Sequence, residues 1–181
     1  MATARTLIRE YFSPLSDLPC WNTTSEFGSW LSLRFGQPRL DIREGNPGAK
    51  SDRLKRRRVV VEGDFLLWIE MGAWELVENQ KRLFHSEQSR ASLRRAAARL
   101  EGQKVSGVEI LTAPLCTVFH FDLGSTVHVH PTKNAEPDEP LWHLYNQEYC
   151  LSLLANGKFQ YGLSSSFKQR HTTARVISYA A

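Results

Sequence analysis

The strongest restriction on this chain is a succession of short runs in which apolar and polar residues alternate, broken repeatedly by glycine, proline and asparagine. Only one stretch of helical period interrupts them. Alternation at period two places one side of a strand against a core and the other toward water, and turn residues every few positions fold such runs back on themselves. "SWLSLRFGQPRLDIRE" sets Leu31, Leu33 and Phe35 before Gly36, and Leu40 and Ile42 after Pro38, which predicts a hairpin with one apolar face. "VVVEGDFLLWIEMGAWELVEN" divides at Gly63-Asp64 and at Met71-Gly72 into three strands, and "QKRLFH" offers one more. Further on, "KVSGVEILTA", "CTVFHFDLG", "STVHVHP", "LWHLYNQ" and "EYCLSLL" read as strands, and Asn156-Gly157 is a hairpin turn leading into "KFQYG".

The helical exception starts at Ser86 or Ser89, either of which can cap exposed N–H groups, and stops at Gly102. Leu93, Ala96, Ala97 and Leu100 fall on one arc of it, with Arg90, Arg94, Arg95 and Arg99 on the opposite half. A small sheet needs a second layer over its apolar face, so the expected class is α+β: two antiparallel β units with one amphipathic helix between them. The expected layout is an irregular N-terminal segment over 1–28 and a first β unit over 29–85 with a basic loop at 44–58. The helix over 86–102, a second β unit over 103–162 and a loose tail over 163–181 follow.

With 181 residues, 41% of them hydrophobic, and five Trp and nine Phe, the chain can bury a core without staples. Cys20, Cys116 and Cys150 are odd in number and irregular in spacing, which argues against a disulfide framework and for a reducing, cytoplasmic setting. The N-terminus lacks the continuous apolar stretch of a signal peptide, and no run is long enough for a membrane span. Net charge is +4, unevenly placed: "KSDRLKRRR", from Lys50 to Arg58, holds six basic residues against one acid. Flanked by "GNPG", it reads as an exposed, mobile loop.

The two halves share a pattern. "LSLRFGQPRLDI" and "TVFHFDLGSTVHV" each give an alternating strand, a glycine turn and a second alternating strand, followed by "WEL" at Trp74 and "WHL" at Trp142. That order suggests an internal repeat. Together, the Trp strand, the Ser-started helix ending in "LEGQ", "FHFDLG", "WHLY" and the closing "GKFQYG" hairpin resemble a group of uncharacterised bacterial β-rich proteins, over roughly residues 30–162. Their layout is similar to small immunity or antitoxin-type proteins, and the resemblance implies a non-enzymatic inhibitor that occludes a protein target, with no cofactor.

Three sets of residues are candidates for function. Lys55, Arg56, Arg57 and Arg58 would steer an acidic partner toward the protein, with His143 and Tyr145 beside Trp142 offering a contact surface. The two Trp residues of the repeat are expected in the core. The same basic run and the helix arginines Arg90, Arg94, Arg95 and Arg99 could instead neutralise phosphates, the alternative of a nucleic-acid-binding protein. Lastly, pairing Phe121 with Val127 would put His120 opposite His128, with His130 two residues along on the same face. That is a possible transition-metal site for a metal-dependent enzyme, although alternation alone gives a half-buried hairpin one polar face. No nucleophile elbow, P-loop or dinucleotide fingerprint is present.

Overall fold

The structure, a computed structural model, describes residues 4–26, 28–164 and 175–177. Its strands are paired antiparallel throughout and form two large sheets and one small ribbon. The seven-stranded sheet runs β1 (Trp21–Glu26), β2 (Trp30–Phe35), β5 (Phe65–Ile69), β11 (Pro140–Tyr145), β12 (Tyr149–Leu154), β13 (Phe159–Leu163) and β14 (Arg175–Ile177). The five-stranded sheet has the order β7 (Lys81–His85), β6 (Ala73–Glu78), β10 (Ser125–His130), β9 (Leu115–Phe121) and β8 (Val105–Thr112). The ribbon is β3 (Arg39–Arg43) with β4 (Arg58–Glu62). Helices α1 (Ala4–Phe12), α2 (Asp52–Lys55) and α3 (Arg90–Leu100) complete the set.

Alternation decides which side chains meet between the sheets. Leu31, Leu33, Leu67, Ile69, Trp142, Leu144, Leu151 and Leu153 come from the larger sheet, and Trp74, Leu76, Phe119, Val127 and Val129 from the smaller; all are buried in one core. Trp142 stands at its centre, edge-on to Phe12, Phe119 and Phe159, and its indole N–H donates to Thr117 Oγ1 across the sheets at 2.9 Å. The Trp74 indole donates to the Ser29 carbonyl at 2.6 Å. Both Trp residues are core, as expected.

The helix reads as the sequence suggests. Ser89 Oγ accepts the Ser92 N–H, Gly102 takes φ +82° just past the end, and Leu93, Ala96, Ala97 and Leu100 are buried. The chain is thus β-rich with a modest helical part. Its cysteines are all free thiols, and none of the helices among the described residues is long and apolar enough to cross a membrane.

Three expectations change. Residues 4–26 of the expected irregular segment hold regular elements: Ile8 and Phe12 of α1 and Leu15 of the following 3-10 turn plug the core, and β1 pairs with β2. The predicted hairpin of β2 with β3 does not form, because β1 and β5 occupy both edges of β2 while β3 leaves to pair with β4. As a result the two halves are not paired alike. β9 and β10 do form a hairpin, and Trp74 and Trp142 lie in different sheets.

The basic segment, expected to be an exposed, mobile loop, is exposed from Lys50 to Arg57 and contains the short helix α2. Asn46 N–H donates to the Leu54 carbonyl, the Asn46 side chain receives the Gly48 N–H, and Gly45 lies so close to the Lys55 carbonyl that no Cβ would fit. The turn chemistry of "GNPG" therefore folds the segment back against α2. The expected tail over 163–181 lies outside the described residues except at 163–164 and 175–177, where β14 extends the larger sheet.

Candidate functional site

The basic segment and its flanks make up an arm, residues 39–62, rooted at the end of the larger sheet where Phe35 pairs with Phe65. It contains eight Lys or Arg and four Asp or Glu, so the whole +4 excess of the chain resides in it and the remainder carries fifteen of each sign. All four of its acids are already ion-paired: Asp41 and Glu62 with Arg43, Glu44 with Arg57 at 2.8 Å, and Asp52 with Lys55 at 2.8 Å. Lys50, Arg53 and Arg56 are exposed and carry no ion pair among the described residues.

The two faces of the arm are inverted relative to an ordinary half-buried ribbon. Register places Leu40 opposite Val61 and Ile42 opposite Val59 on one face, and Arg39, Asp41, Arg43, Arg58, Val60 and Glu62 on the other. The aliphatic face is the open one: Leu40 is 70% exposed, Ile42 and Val59 61%, and Val61 39%. The charged face is half-buried apart from Arg39 and is tied to the body through Glu62, which accepts from Arg43 and lies 3.5 Å from Arg34 of β2. The root is held further by Asp64, whose carboxylate accepts the Gln37 N–H at 2.8 Å, by the Trp21 indole N–H on the Gly36 carbonyl, and by Arg39 on the Gly63 carbonyl. Beside it, Leu18, Pro19, Trp21, Gly36, Gln37 and Pro38 line an open hollow of about 330 Å³.

The four residues expected to steer a partner therefore differ in their surroundings. Arg56 is exposed and unengaged among the described residues; Lys55 and Arg57 are exposed but paired. Arg58 is half-buried at the start of β4, with its Nε enclosed and lacking a hydrogen bond. The residues that sequence reasoning missed are Leu40, Ile42, Val59 and Val61. Alternation marks them as one face, but nothing local says that this face is left open.

His143 and Tyr145 are buried, at 6% and 8% exposure, which corrects their expected place on a contact surface. They sit on the face of the larger sheet opposite the core, where Trp68, His143 and Ser152 stand in one cross-strand row. Nδ1 of His143 is 2.6 Å from Ser152 Oγ, and Nε2 is 3.1 Å from Glu70. A carboxylate only accepts, so in the neutral ring Nε2 carries the proton and Nδ1 accepts the Ser152 hydroxyl. Trp68 and Tyr145 flank the imidazole at 5.5 and 5.4 Å. Ser152, His143 and Glu70 stand in line, yet they offer no open nucleophile. Ser152 and the nearby Cys150 are fully buried, and burial raises the Cys150 thiol to about 12.

The helix arginines also divide. Arg99 grips Glu78 of β6 through two hydrogen bonds, at 2.8 and 2.7 Å, and Glu78 accepts from buried Ser125, which in turn accepts from Gln103. Arg95 lies over the Phe84 ring at 5.8 Å and donates to Ser92. Arg90 and Arg94 point outward without an ion pair among the described residues. The helix is thus fastened to the smaller sheet by part of the face proposed for phosphate.

The histidine hairpin keeps its expected parity but not its register. Asp122 is pinned to Lys104, accepting the N–H at 2.8 Å and donating its own N–H to the carbonyl at 3.0 Å, and Gly124 turns at φ +89°. The tight turn sets His120 opposite Thr126 and His128 opposite Val118. The three imidazoles share the open face, and His120 Nε2 is 3.7 Å from Glu109. Among the described residues, no three His, Cys, Asp or Glu side chains are grouped closely enough to hold a metal ion. Burial, together with the neighbouring His120 and His130, lowers the pKa of His128 against the opposing pull of Glu75.

No protein-family model, curated protein or solved structure matches the chain.

Proposed function

We propose that this chain is a non-enzymatic partner-binding protein, an inhibitor of immunity or antitoxin type that covers a protein target with its arm. The observation that carries this reading is the inverted ribbon: an aliphatic face turned to solvent beneath a tip that carries the net charge of the molecule. Exposed aliphatics aligned on one face of a ribbon mark interaction surfaces. Magnitudes divide the labour. Fully burying an aliphatic side chain is worth roughly 1.5–3 kcal/mol, whereas an exposed ion pair contributes about 0–1 kcal/mol and is screened by salt. The aliphatics therefore supply affinity, and Lys50, Arg53 and Arg56 supply orientation and encounter rate.

The test is affinity capture from the source cell lysate, with and without nuclease, using the wild-type chain and an Arg53→Glu/Arg56→Glu variant. Recovery of one stoichiometric, nuclease-resistant protein, reduced with the variant, supports the reading. Heterogeneous recovery abolished by nuclease would replace it with the nucleic-acid-binding alternative.

A further inference from the structure

We infer that the occupant of the arm is an acidic amphipathic helix of the protein partner, seated on Leu40, Ile42, Val59 and Val61. The inference rests on the partner-binding reading and names the chemistry that fits it. The two cross-strand pairs, Leu40 with Val61 and Ile42 with Val59, form a narrow apolar strip two side chains wide. Successive pairs on one strand face are about 7 Å apart, close to the roughly 5–6 Å that separates side chains at i and i+3 or i+4 on a helix. One helical stripe can therefore lie along the ribbon with its apolar residues meeting both pairs.

Charge chooses among helices. The acids of the arm are consumed by its own Arg43, Lys55 and Arg57, so Lys50, Arg53 and Arg56, exposed and without an ion pair among the described residues, leave the tip beyond the ribbon positive and suited to carboxylates at one end of the helix. A phosphate backbone would satisfy the tip but would set charged oxygens against the four aliphatics, leaving their apolar surface without an apolar partner. At the root, Glu62 lies 3.5 Å from Arg34 of the body, and Asp64 with Gln37 and Trp21 with Gly36 hold the segments next to the ribbon.

The direct test is fluorescence anisotropy with four labelled probes of matched charge. These are a helical peptide with a leucine stripe and glutamates at one end, its scrambled isomer, polyglutamate and duplex DNA. The helical peptide is expected to bind most tightly, and Leu40→Ser/Ile42→Ser to weaken it about tenfold or more with an unchanged circular dichroism spectrum and thermal midpoint. Arg53→Glu/Arg56→Glu should weaken it less at high salt than at low salt. Equal binding of polyglutamate or DNA, insensitivity to Leu40→Ser/Ile42→Ser, or no binding of the helical peptide would each overturn the inference. If lysate capture still yields a protein when the helical peptide is not preferred, partner binding survives and the helical occupant falls. If no protein is captured, both fall.

Discussion

At the scale of single residues, polar groups enclosed on the sheet faces govern stability and its response to pH. Ser152→Ala removes the hydroxyl that serves His143 Nδ1 and leaves a buried nitrogen without that donor. Urea denaturation should show a loss of about 1–2 kcal/mol; an unchanged midpoint would mean that another group takes over. Arg99 beside Glu78, helped by Ser125 and opposed by burial, holds the Glu78 carboxyl below its ordinary value. The unfolded chain then binds the proton more readily. This stabilisation is complete above the ordinary carboxylate value of about 4.3 and is lost as pH falls through the lower folded value. His128, also depressed, acts in the same direction at higher pH: its stability is present above about 6.5 and declines as pH drops below that. Thermal midpoints should therefore fall in two stages on acidification, with Glu78→Gln flattening the lower stage and His128→Asn the upper. Trp74 and Trp142 are legible as core because each sits in a strongly apolar strand. His143 is not, because alternation puts it on the second face of its sheet, and only the folded molecule decides whether that face is covered.

At the scale of elements, local chemistry is a good guide wherever the signal is itself local. The α3 limits follow from Ser89 and Gly102, and Ser89→Ala should cost about 1 kcal/mol in thermal or chemical unfolding. Most strands fall where the turn residues place them. The sequence misleads where two elements compete for one partner. β2 and β3 read as a hairpin, yet the apolar face of β2 is claimed by the core and its edges by β1 and β5. The resulting corner depends on Gly36, which has φ +79° and whose added Cβ would lie 2.5 Å from the Asp64 carboxylate. Gly36→Ala should destabilise by at least about 1–2 kcal/mol and loosen the arm root. A similar gap explains the β9–β10 register. Parity follows from the apolar pattern, but the exact opposition of His120 and Thr126 depends on Asp122 reaching Lys104 of another segment.

At the scale of the whole molecule, the arm holds the excess charge of the chain, and the sequence outside it carries equal numbers of each sign. The basic tip of the arm is visible in composition; its open aliphatic face is not, because exposure is a property of the assembled fold. The sandwich core draws on both large sheets, α1 and α3, and contains no residue of 39–62. Since Asp64 accepts the Gln37 N–H, the two ends of the arm adjoin and can be joined by a short Gly-Ser turn. The decisive measurement is affinity capture with this arm-excised protein beside the wild type, after thermal unfolding has verified that the sandwich remains folded. The expected result is a cooperative transition in both proteins, with one nuclease-resistant partner retained by the wild type and lost on excision. Equal capture of that partner by the folded, arm-excised protein would contradict the assignment of binding to the arm.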